Sequence, residues 1–402
     1  MQPQQRWMQG ELDRLKREGQ YRTLVDSAPA AEDGWIWRDG RRMLNLASNH
    51  YLGLHNRLDA AALSRWAAFA REGAAVEAIR TGAAASRLIV GGDPAVGRLE
   101  RDFAEFKRTE ACLVFGSGYM ANVGIIGALV GRNDLVFSDK LNHASIVDGA
   151  LLSRAELIRY RSRDMDHLES LLGRADPHKR KLIVTDSVFS MDGTIAPLER
   201  LVQLKERYGA MLMVDEAHSG GVFGEQGEGL VHALGLSGRI DVTMGTFSKA
   251  YGCYGAYAAG SGLVIDYLVN KARSLIFSTA LPPMVIYAIR DQWDTARRDG
   301  WRREQLMRHA ELLRQRLQEA GFDTGGSASQ IVPVIVGGNE RALAFGRRLQ
   351  EAGVAAVPIR PPTVPEGTAR IRVTPMATHR EEDVLEAVET IIAVGRELGV
   401  IA

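Results

Sequence analysis

Across residues 93–255, short apolar runs alternate with stretches of helical character, and this rhythm restricts the chain to an α/β domain built on a mostly parallel sheet. Strands are expected at residues 112–115, 135–138, 181–185, 211–214, 242–246 and 254–259. These runs are predominantly apolar, as strands covered on both faces must be. Pro94 opens a helix at its first turn, with Val96, Leu99, Phe103 and Phe106 following at three- and four-residue spacing. Leu281-Pro282-Pro283 then interrupts the alternation, and a charged helical stretch runs through residues 291–320. After it, the order strand (330–336), helix (340–352), extended segment (354–365), strand (370–374) and helix (380–398) predicts a smaller α+β domain. The expected division is residues 1–56 as an N-terminal helix and segment packing on the small domain, 57–285 as the large domain, and 286–402 as the small C-terminal domain.

Fifty Lys and Arg against 49 Asp and Glu leave a formal charge of +1, which gives nucleic acid or an acidic membrane no electrostatic hold. A small molecule is the expected partner. Two cysteines, Cys112 and Cys253, stand far apart and outside any metal-ligand spacing, so neither a disulfide framework nor a metal site is expected. Near the N-terminus, Trp7-Met8-Gln9-Gly10-Glu11-Leu12-Asp13-Arg14 reads as an amphipathic helix without the apolar core of a signal peptide, so a cytoplasmic location is expected. Residues 111–131 carry no charge and approach the roughly 20 residues of a membrane span. Gly116, Gly118, Gly124, Gly127 and Gly131, with Ser117, Tyr119 and Asn122, instead divide the run into a strand, a turn and a buried helix.

Four segments carry chemistry. Met213-Val214-Asp215-Glu216-Ala217-His218 is a strand ending in carboxylates and an imidazole, and ligands of open α/β sheets gather at such ends. Metal and nucleoside-triphosphate sites share that pattern. A second strand ends in Thr246-Phe247-Ser248-Lys249. Carboxylate and lysine on neighbouring strand ends suit a pyridoxal cofactor, whose ring nitrogen needs an anion and whose carbonyl needs an amine. Phe115-Gly116-Ser117-Gly118-Tyr119-Met120-Ala121-Asn122 is a glycine-rich piece after a strand and before a helix, where backbone amides can approach a phosphate. It has neither the Gly-Lys-Ser/Thr ending of a triphosphate loop nor a dinucleotide fingerprint, which favours a monophosphate. The fourth segment, Ser138-Asp139-Lys140-Leu141-Asn142-His143-Ala144-Ser145, places His143 after a strand, where an aromatic ring could stack on a flat cofactor.

With these segments in order, the chain resembles the α-oxoamine synthases, pyridoxal-phosphate enzymes of fold type I. The resemblance runs nearly end to end. It rests on Ser48-Asn49-His50-Tyr51-Leu52-Gly53, Leu141-Asn142-His143-Ala144-Ser145, Val188-Phe189-Ser190-Met191-Asp192-Gly193, Asp215-Glu216-Ala217-His218, Thr246-Phe247-Ser248-Lys249 and Arg360-Pro361-Pro362-Thr363-Val364-Pro365. It implies a large domain with a mostly parallel seven-stranded sheet flanked by helices, and a smaller α+β C-terminal domain. It further implies pyridoxal 5'-phosphate held as a Schiff base on Lys249, with Asp215 at the ring nitrogen and His143 stacked on the ring. Ser190 and His218 would contact the ring hydroxyl, while Gly118, Tyr119, Thr246 and Ser248 would hold the phosphate. Lys249, His143, Asp215 and His218 are the implied catalytic residues. Phe277-Ser278-Thr279 matches the stretch that reaches the phosphate of a second subunit, so a homodimer with shared sites is implied.

For substrates, Arg372 matches the arginine that grips the amino-acid carboxylate, with Asn49 assisting, and its fork geometry is one that lysine cannot copy. Arg22 and Thr363 match positions near the acyl substrate in the biotin-synthesis branch of the family. That branch condenses L-alanine with pimeloyl-CoA or a pimeloyl-[acyl-carrier protein] and releases carbon dioxide. Sister enzymes joining glycine to an acetyl thioester are the nearest rival reading, and the 360–365 stretch favours the biotin branch. An ordinary aminotransferase would instead turn alanine into pyruvate. A cofactor-binding regulator would need a DNA-binding module, for which no basic stretch is spare. Two departures from the family pattern bear on the acyl group: Thr81-Gly82-Ala83-Ala84-Ala85-Ser86-Arg87 carries methyls where glycine is common, and His50 stands where Asp or Asn is usual.

Overall fold

The computed structural model describes residues 3–54, 60–71 and 79–402. Packing divides the chain into two compact units, one formed by Met1–Asn49, Met191–Thr194 and Gln305–Ala402, the other by His50–Ser190 and Ile195–Glu304. The boundary expected after residue 56 lies outside the described residues. That expected after residue 285 falls inside a helix, Pro283–Arg298.

The larger unit is organised on a seven-stranded sheet. In chain order its strands are β1 (Ala111–Phe115), β2 (Leu135–Asp139), β3 (Glu156–Tyr160), β4 (Lys181–Asp186), β5 (Met211–Asp215), β6 (Val242–Thr246) and β7 (Ala256–Gly260). Across the sheet the order is β1-β7-β6-β5-β4-β2-β3, with β7 antiparallel to both neighbours and the other pairs parallel. β2, β4, β6 and β7 are buried along their whole length, and charge is confined to the ends of β2 and β4. β3 was not expected from the sequence. It is the sheet's edge, and only Tyr160 among its residues is fully buried, so polar positions break the apolar run that would reveal it.

Helices cover both faces of this sheet. Three bear on the site: α1 (Pro94–Lys107), α2 (Gly118–Leu129) and α3 (Ala144–Ser153). Pro94 stands in the first turn of α1 as expected, and the Asp93 side chain caps the helix by accepting the Ala95 amide at 2.9 Å. Residues 111–131 form β1, a turn and α2, with Ala121, Ile125, Ile126 and Leu129 in the core. The charged stretch expected as one helix is two, α4 (Pro283–Arg298) and α5 (Trp301–Glu319), broken at Asp299-Gly300.

In the smaller unit a three-stranded antiparallel sheet sets β10 (Ala369–Val373) between β8 (Val332–Gly337) and β9 (Val357–Ile359). Helices α6 (Asn339–Glu351) and α7 (Glu381–Glu397) contribute Phe345, Leu349, Val384, Val388 and Ile391 to its core. The N-terminal segment adds the strands Trp35–Arg38 and Arg41–Asn45, the second paired in parallel with Val354–Ala355. Among the described residues, no helix is long and apolar enough to cross a membrane, and no cluster of His, Cys, Asp and Glu could hold a metal ion.

Candidate active site

In the larger unit, a cavity of about 150 Å³ opens at the carboxyl edge of the sheet, between the ends of β4, β5 and β6 and the starts of α2 and α3. Gly118, Tyr119, His143, Asp215, His218, Thr246, Ser248 and Lys249 all line it. Residues from five separate stretches thus meet because parallel strands end on one edge.

Asp215 is the last residue of β5 and is buried. Its Oδ1 accepts the Ala217 amide and its Oδ2 accepts Asn122 Nδ2, each at 2.8 Å. Asn122 also donates to Ser145 Oγ at 2.8 Å, and that hydroxyl lies 2.7 Å from His143 Nδ1. His143 caps α3, its Nδ1 accepting the Ser145 amide, which leaves the ring proton on Nε2 when the imidazole is neutral. The imidazole opens to solvent on its cavity side, but crowding by protein atoms lowers its pKa through desolvation; Asp215 opposes this and Lys249 adds to it. A hydrogen-bonded line therefore joins the strand-end carboxylate to the imidazole through Asn122 and Ser145, which lie in chemistry-bearing segments of the sequence but carry no role read from it.

A second carboxyl group lines the cavity without a role assigned from the sequence. Asp186 ends β4 in register with Asp215 on β5, lines the cavity and accepts the His143 amide at 2.8 Å. Burial, then the neighbouring Asp215 charge, push its pKa well above the carboxylate range. Its sequence signal was the same as that of Asp215, an acidic residue closing an apolar strand.

At the opposite end of the cavity, α2 begins at Gly118, with Ser117 as its N-cap accepting the Met120 amide. A Cβ on Gly118 would come within 3.4 Å of Met244 Cε and 3.9 Å of Thr246 Cβ, so glycine keeps the gap between helix end and strand end open. Thr246 Oγ1 donates to the Gly255 carbonyl at 2.8 Å and pairs with Ser248 Oγ at 2.6 Å. Tyr119 turns its hydroxyl outward to Asp148 at 2.7 Å. His218 is buried, with its Nδ1 2.7 Å from the Tyr51 hydroxyl.

Ser190 is buried but does not line this cavity, and Thr279 lines a separate small one with Arg87, Gly116 and Met120. Glu216, next to Asp215, faces away from the site. Its carboxylate pairs with the buried Lys107 ammonium and accepts the Val231 amide at 2.7 Å. Gly229, at φ +107°, leaves room for that carboxylate, which a Cβ would strike. Of the two departures from the family pattern, Ala84 holds the left-handed region at φ +59°, a conformation glycine adopts without strain.

In the smaller unit, Arg372 on β10 is buried and donates to Asn49 Oδ1 at 2.7 Å, so the expected substrate pair is in contact. Arg22 and Thr363 share a larger cavity of about 480 Å³ in the same unit.

The profile of the class I and II aminotransferases matches residues 41–391. A protein of Bacillus mycoides (strain KBAB4), provisionally named 8-amino-7-oxononanoate synthase, is 52% identical over 395 residues, 98% of this chain and 97% of that protein. The serine palmitoyltransferase from S. paucimobilis, solved with a bound PLP–myriocin aldimine, superposes with a TM-score of 0.89 at 30% identity over 99% of each chain. The 8-amino-7-oxononanoate synthase of Francisella tularensis superposes with a TM-score of 0.73 at 26% identity, over 88% of this chain and 98% of that one. The chain therefore belongs to the class I and II aminotransferase family and, within it, to the α-oxoamine synthases whose relatives carry the 8-amino-7-oxononanoate synthase name.

Proposed function

We propose that this PLP-dependent acyltransferase joins L-alanine to a pimeloyl thioester, releasing carbon dioxide and free thiol and forming 8-amino-7-oxononanoate for biotin synthesis. The observation that carries the reading is the convergence of Asp215, His143, Lys249 and the Gly118–Thr246–Ser248 cradle on one cavity.

The residues fit pyridoxal phosphate. Amides at the start of a twelve-residue helix, with the Ser248 hydroxyl that Thr246 Oγ1 positions, offer donors to a phosphate in the gap that Gly118 leaves open. A fixed carboxylate, Asp215, stands among the other lining groups to hold a proton on the ring nitrogen, and His143 offers an aromatic face. When bound, the cofactor supplies an electron sink for carbanion formation and decarboxylation.

The chain's own groups do the rest. Lys249 would hold the cofactor, and its amine, when free, would take the Cα proton of the amino acid. Desolvation lowers the pKa of His143, which favours the neutral imidazole that would pack against the ring without opposing its positive charge. Asn122 restrains the Asp215 carboxylate, and through Ser145 the imidazole as well. His218, held by Tyr51, and Ser190 serve the ring hydroxyl in this reading. Arg372, oriented by Asn49, receives the alanine carboxylate, while Arg22 and Thr363 serve the acyl donor.

A homodimer in the cytoplasm is part of the proposal. The 277–279 stretch is matched to a partner's phosphate, and Phe277 is 70% exposed in the single chain. Sedimentation of the holoenzyme tests the dimer directly.

Lys249→Ala should abolish the cofactor's imine absorbance and lower turnover by at least about 10²–10⁴-fold. Full turnover with a borohydride-reducible imine in that variant would overturn the Lys249 role. Wild-type rates for alanine and glycine, each with pimeloyl and acetyl thioesters, test the substrates. Alanine with the pimeloyl donor should give the highest kcat/KM, and a preference for glycine with acetyl would move the chain to the sister branch.

A further inference from the structure

β2 pairs with β4 only as far as Ser138 opposite Val184; its main chain then leaves β4 and runs through residues 140–143 into α3. The Asn142 side chain takes the vacated place. Its Nδ2 donates to the Val184 carbonyl at 2.8 Å and to Ser138 Oγ at 2.9 Å, while its Oδ1 accepts the Asp186 amide at 3.0 Å. A residue in a parallel ladder bonds in the same manner to the neighbours on either side of its partner, so this side-chain amide stands in for a peptide group opposite Thr185. Asp186 returns the contact, its Oδ2 accepting the His143 amide at 2.8 Å. Ser138, Asn142 and Asp186 are all buried, which shields these bonds from solvent. On the other side of the turn, Asp139 accepts the amides of Leu141 and Arg163, each at 2.9 Å. β4 is itself in register with β5, Asp186 opposite Asp215. The residue that offers an aromatic face and the one that offers a fixed carboxylate are therefore tied to the same pair of strand ends.

We infer that Asn142 and Asp186 are positioning residues that set where the His143 imidazole stands in the cavity, Asn142 by extending the ladder of β4 with its side chain and Asp186 by holding the His143 amide. The functional consequence rests on the reading that His143 faces the cofactor ring. The contact with Ser145 orients the imidazole about its own bonds, whereas Asn142 and Asp186 fix the backbone from which the ring projects. Both controls matter, because a radial gap of about 0.5–1 Å already forfeits a quarter to a half of a dispersion contact. The role demands an amide at position 142. A carboxylate there would set an acceptor against the Val184 carbonyl, and a leucine of similar shape would leave that carbonyl and the Asp186 amide without this partner. Position 186 needs only an oxygen for the His143 amide, so asparagine should serve there.

The test reads the histidine rings of isotope-labelled holoenzyme by NMR in wild type, Asn142→Leu, Asp186→Ala and Asp186→Asn. The chain has nine histidines, of which His143 and His218 line the cavity, so the other seven report on the fold as a whole. In Asn142→Leu the His143 signal should move, and its pKa should rise toward the ordinary imidazole value as loosening readmits water, while those seven stay in place. The charged groups that act on the ring, Asp215, Lys249 and Asp148, are all retained in that variant. Asp186→Ala should move the same signal, and Asp186→Asn, which keeps the acceptor, should not. Equilibrium dialysis of the holoenzyme gives a second reading. Asn142→Leu should hold pyridoxal phosphate about 3–10-fold more weakly, the range expected for one aromatic contact. Added to His143→Ala it should cost less than about 2-fold, because Asn142 acts through that ring. A His143 signal unmoved in both Asn142→Leu and Asp186→Ala overturns the inference, as does an Asn142→Leu penalty of equal size with and without His143. If Asn142→Leu does not fold, Asp186→Ala carries the same comparison. Should His143→Ala hold the cofactor as tightly as wild type, the ring-facing reading alone fails, and a His143 signal displaced in Asn142→Leu still supports the positioning.

Discussion

The cavity at the edge of the large sheet and the arginine cavity of the smaller unit treat charge in opposite ways. In the first, Asp215 has two donors, Asp186 accepts a backbone amide, and just behind them Glu216 has Lys107. In the second, three cations face a wall without a carboxylate. A site whose charges are met by the protein keeps a fixed shape and suits a group that stays, such as a cofactor. One whose charges are left over is poised for a ligand that arrives with each turnover and leaves again. The contrast can be attacked from either side by removing a matched charge or an unmatched one.

The largest effect should come from the matched side. Lys107 and Glu216 are both buried, and Glu216 follows Asp215 directly in the chain. Lys107→Met leaves that carboxylate uncompensated and should cost about 3–5 kcal/mol of stability in urea denaturation of the holoenzyme. Adding Glu216→Gln should recover most of the loss, because the amide oxygen can still accept the Val231 amide without carrying charge. A loss below about 1 kcal/mol for Lys107→Met would show that the charge behind Asp215 is not matched by this lysine.

A smaller, pH-dependent effect belongs to Asp186. Its folded pKa is raised, so between the unfolded value near 4 and the folded value the native state binds the extra proton, and stability falls as pH rises. Asp186→Asn keeps an oxygen for the His143 amide and removes this titration. Relative to wild type, the variant should gain stability as pH rises from about 4 toward 7, by at most about 1.4 kcal/mol per pH unit. A stability difference that stays flat across that range would mean that Asp186 ionises as freely as an exposed carboxylate.

The comparison also separates what sequence can show from what it cannot. Strands buried on both faces announced themselves as apolar runs, and Asp215, Thr246 and Lys249 were legible because each closes or follows such a run. β3 was not, since an edge strand needs no apolar face on both sides. Asp186 carries the same signal as Asp215, an acid closing a strand, but its place beside Asp215 depends on the pairing of β4 with β5. Asn122 and Ser145 stand in marked segments, yet their roles are not legible there, because they depend on two helix starts meeting across the sheet edge. The sequence placed Asp215 and Glu216 together, yet backbone alternation sends one toward the cavity and the other toward Lys107. Arg22 could be matched to a family position, but the convergence of Arg38 and Arg360 on the same cavity joins residues distant in the chain.

The smallest effect should come from the unmatched side, and it should have the opposite sign. If Arg360 is held against Arg22 without compensation, Arg360→Gln relieves repulsion and should raise the stability of the ligand-free holoenzyme by about 0.5 kcal/mol at low salt. Screening should erase the gain as ionic strength approaches about 1 M, where the Debye length falls to about 3 Å. Pimelate or phosphate should stabilise wild type more than the variant, since only the intact cluster has charge to be neutralised. Measured as urea midpoints at two salt concentrations, the same substitution would then favour the empty protein and disfavour the loaded one. If Arg360→Gln instead destabilises the protein by more than about 1 kcal/mol at every salt concentration, the side chain is held by its aliphatic stem. The cavity would then be matched after all, by packing in place of charge.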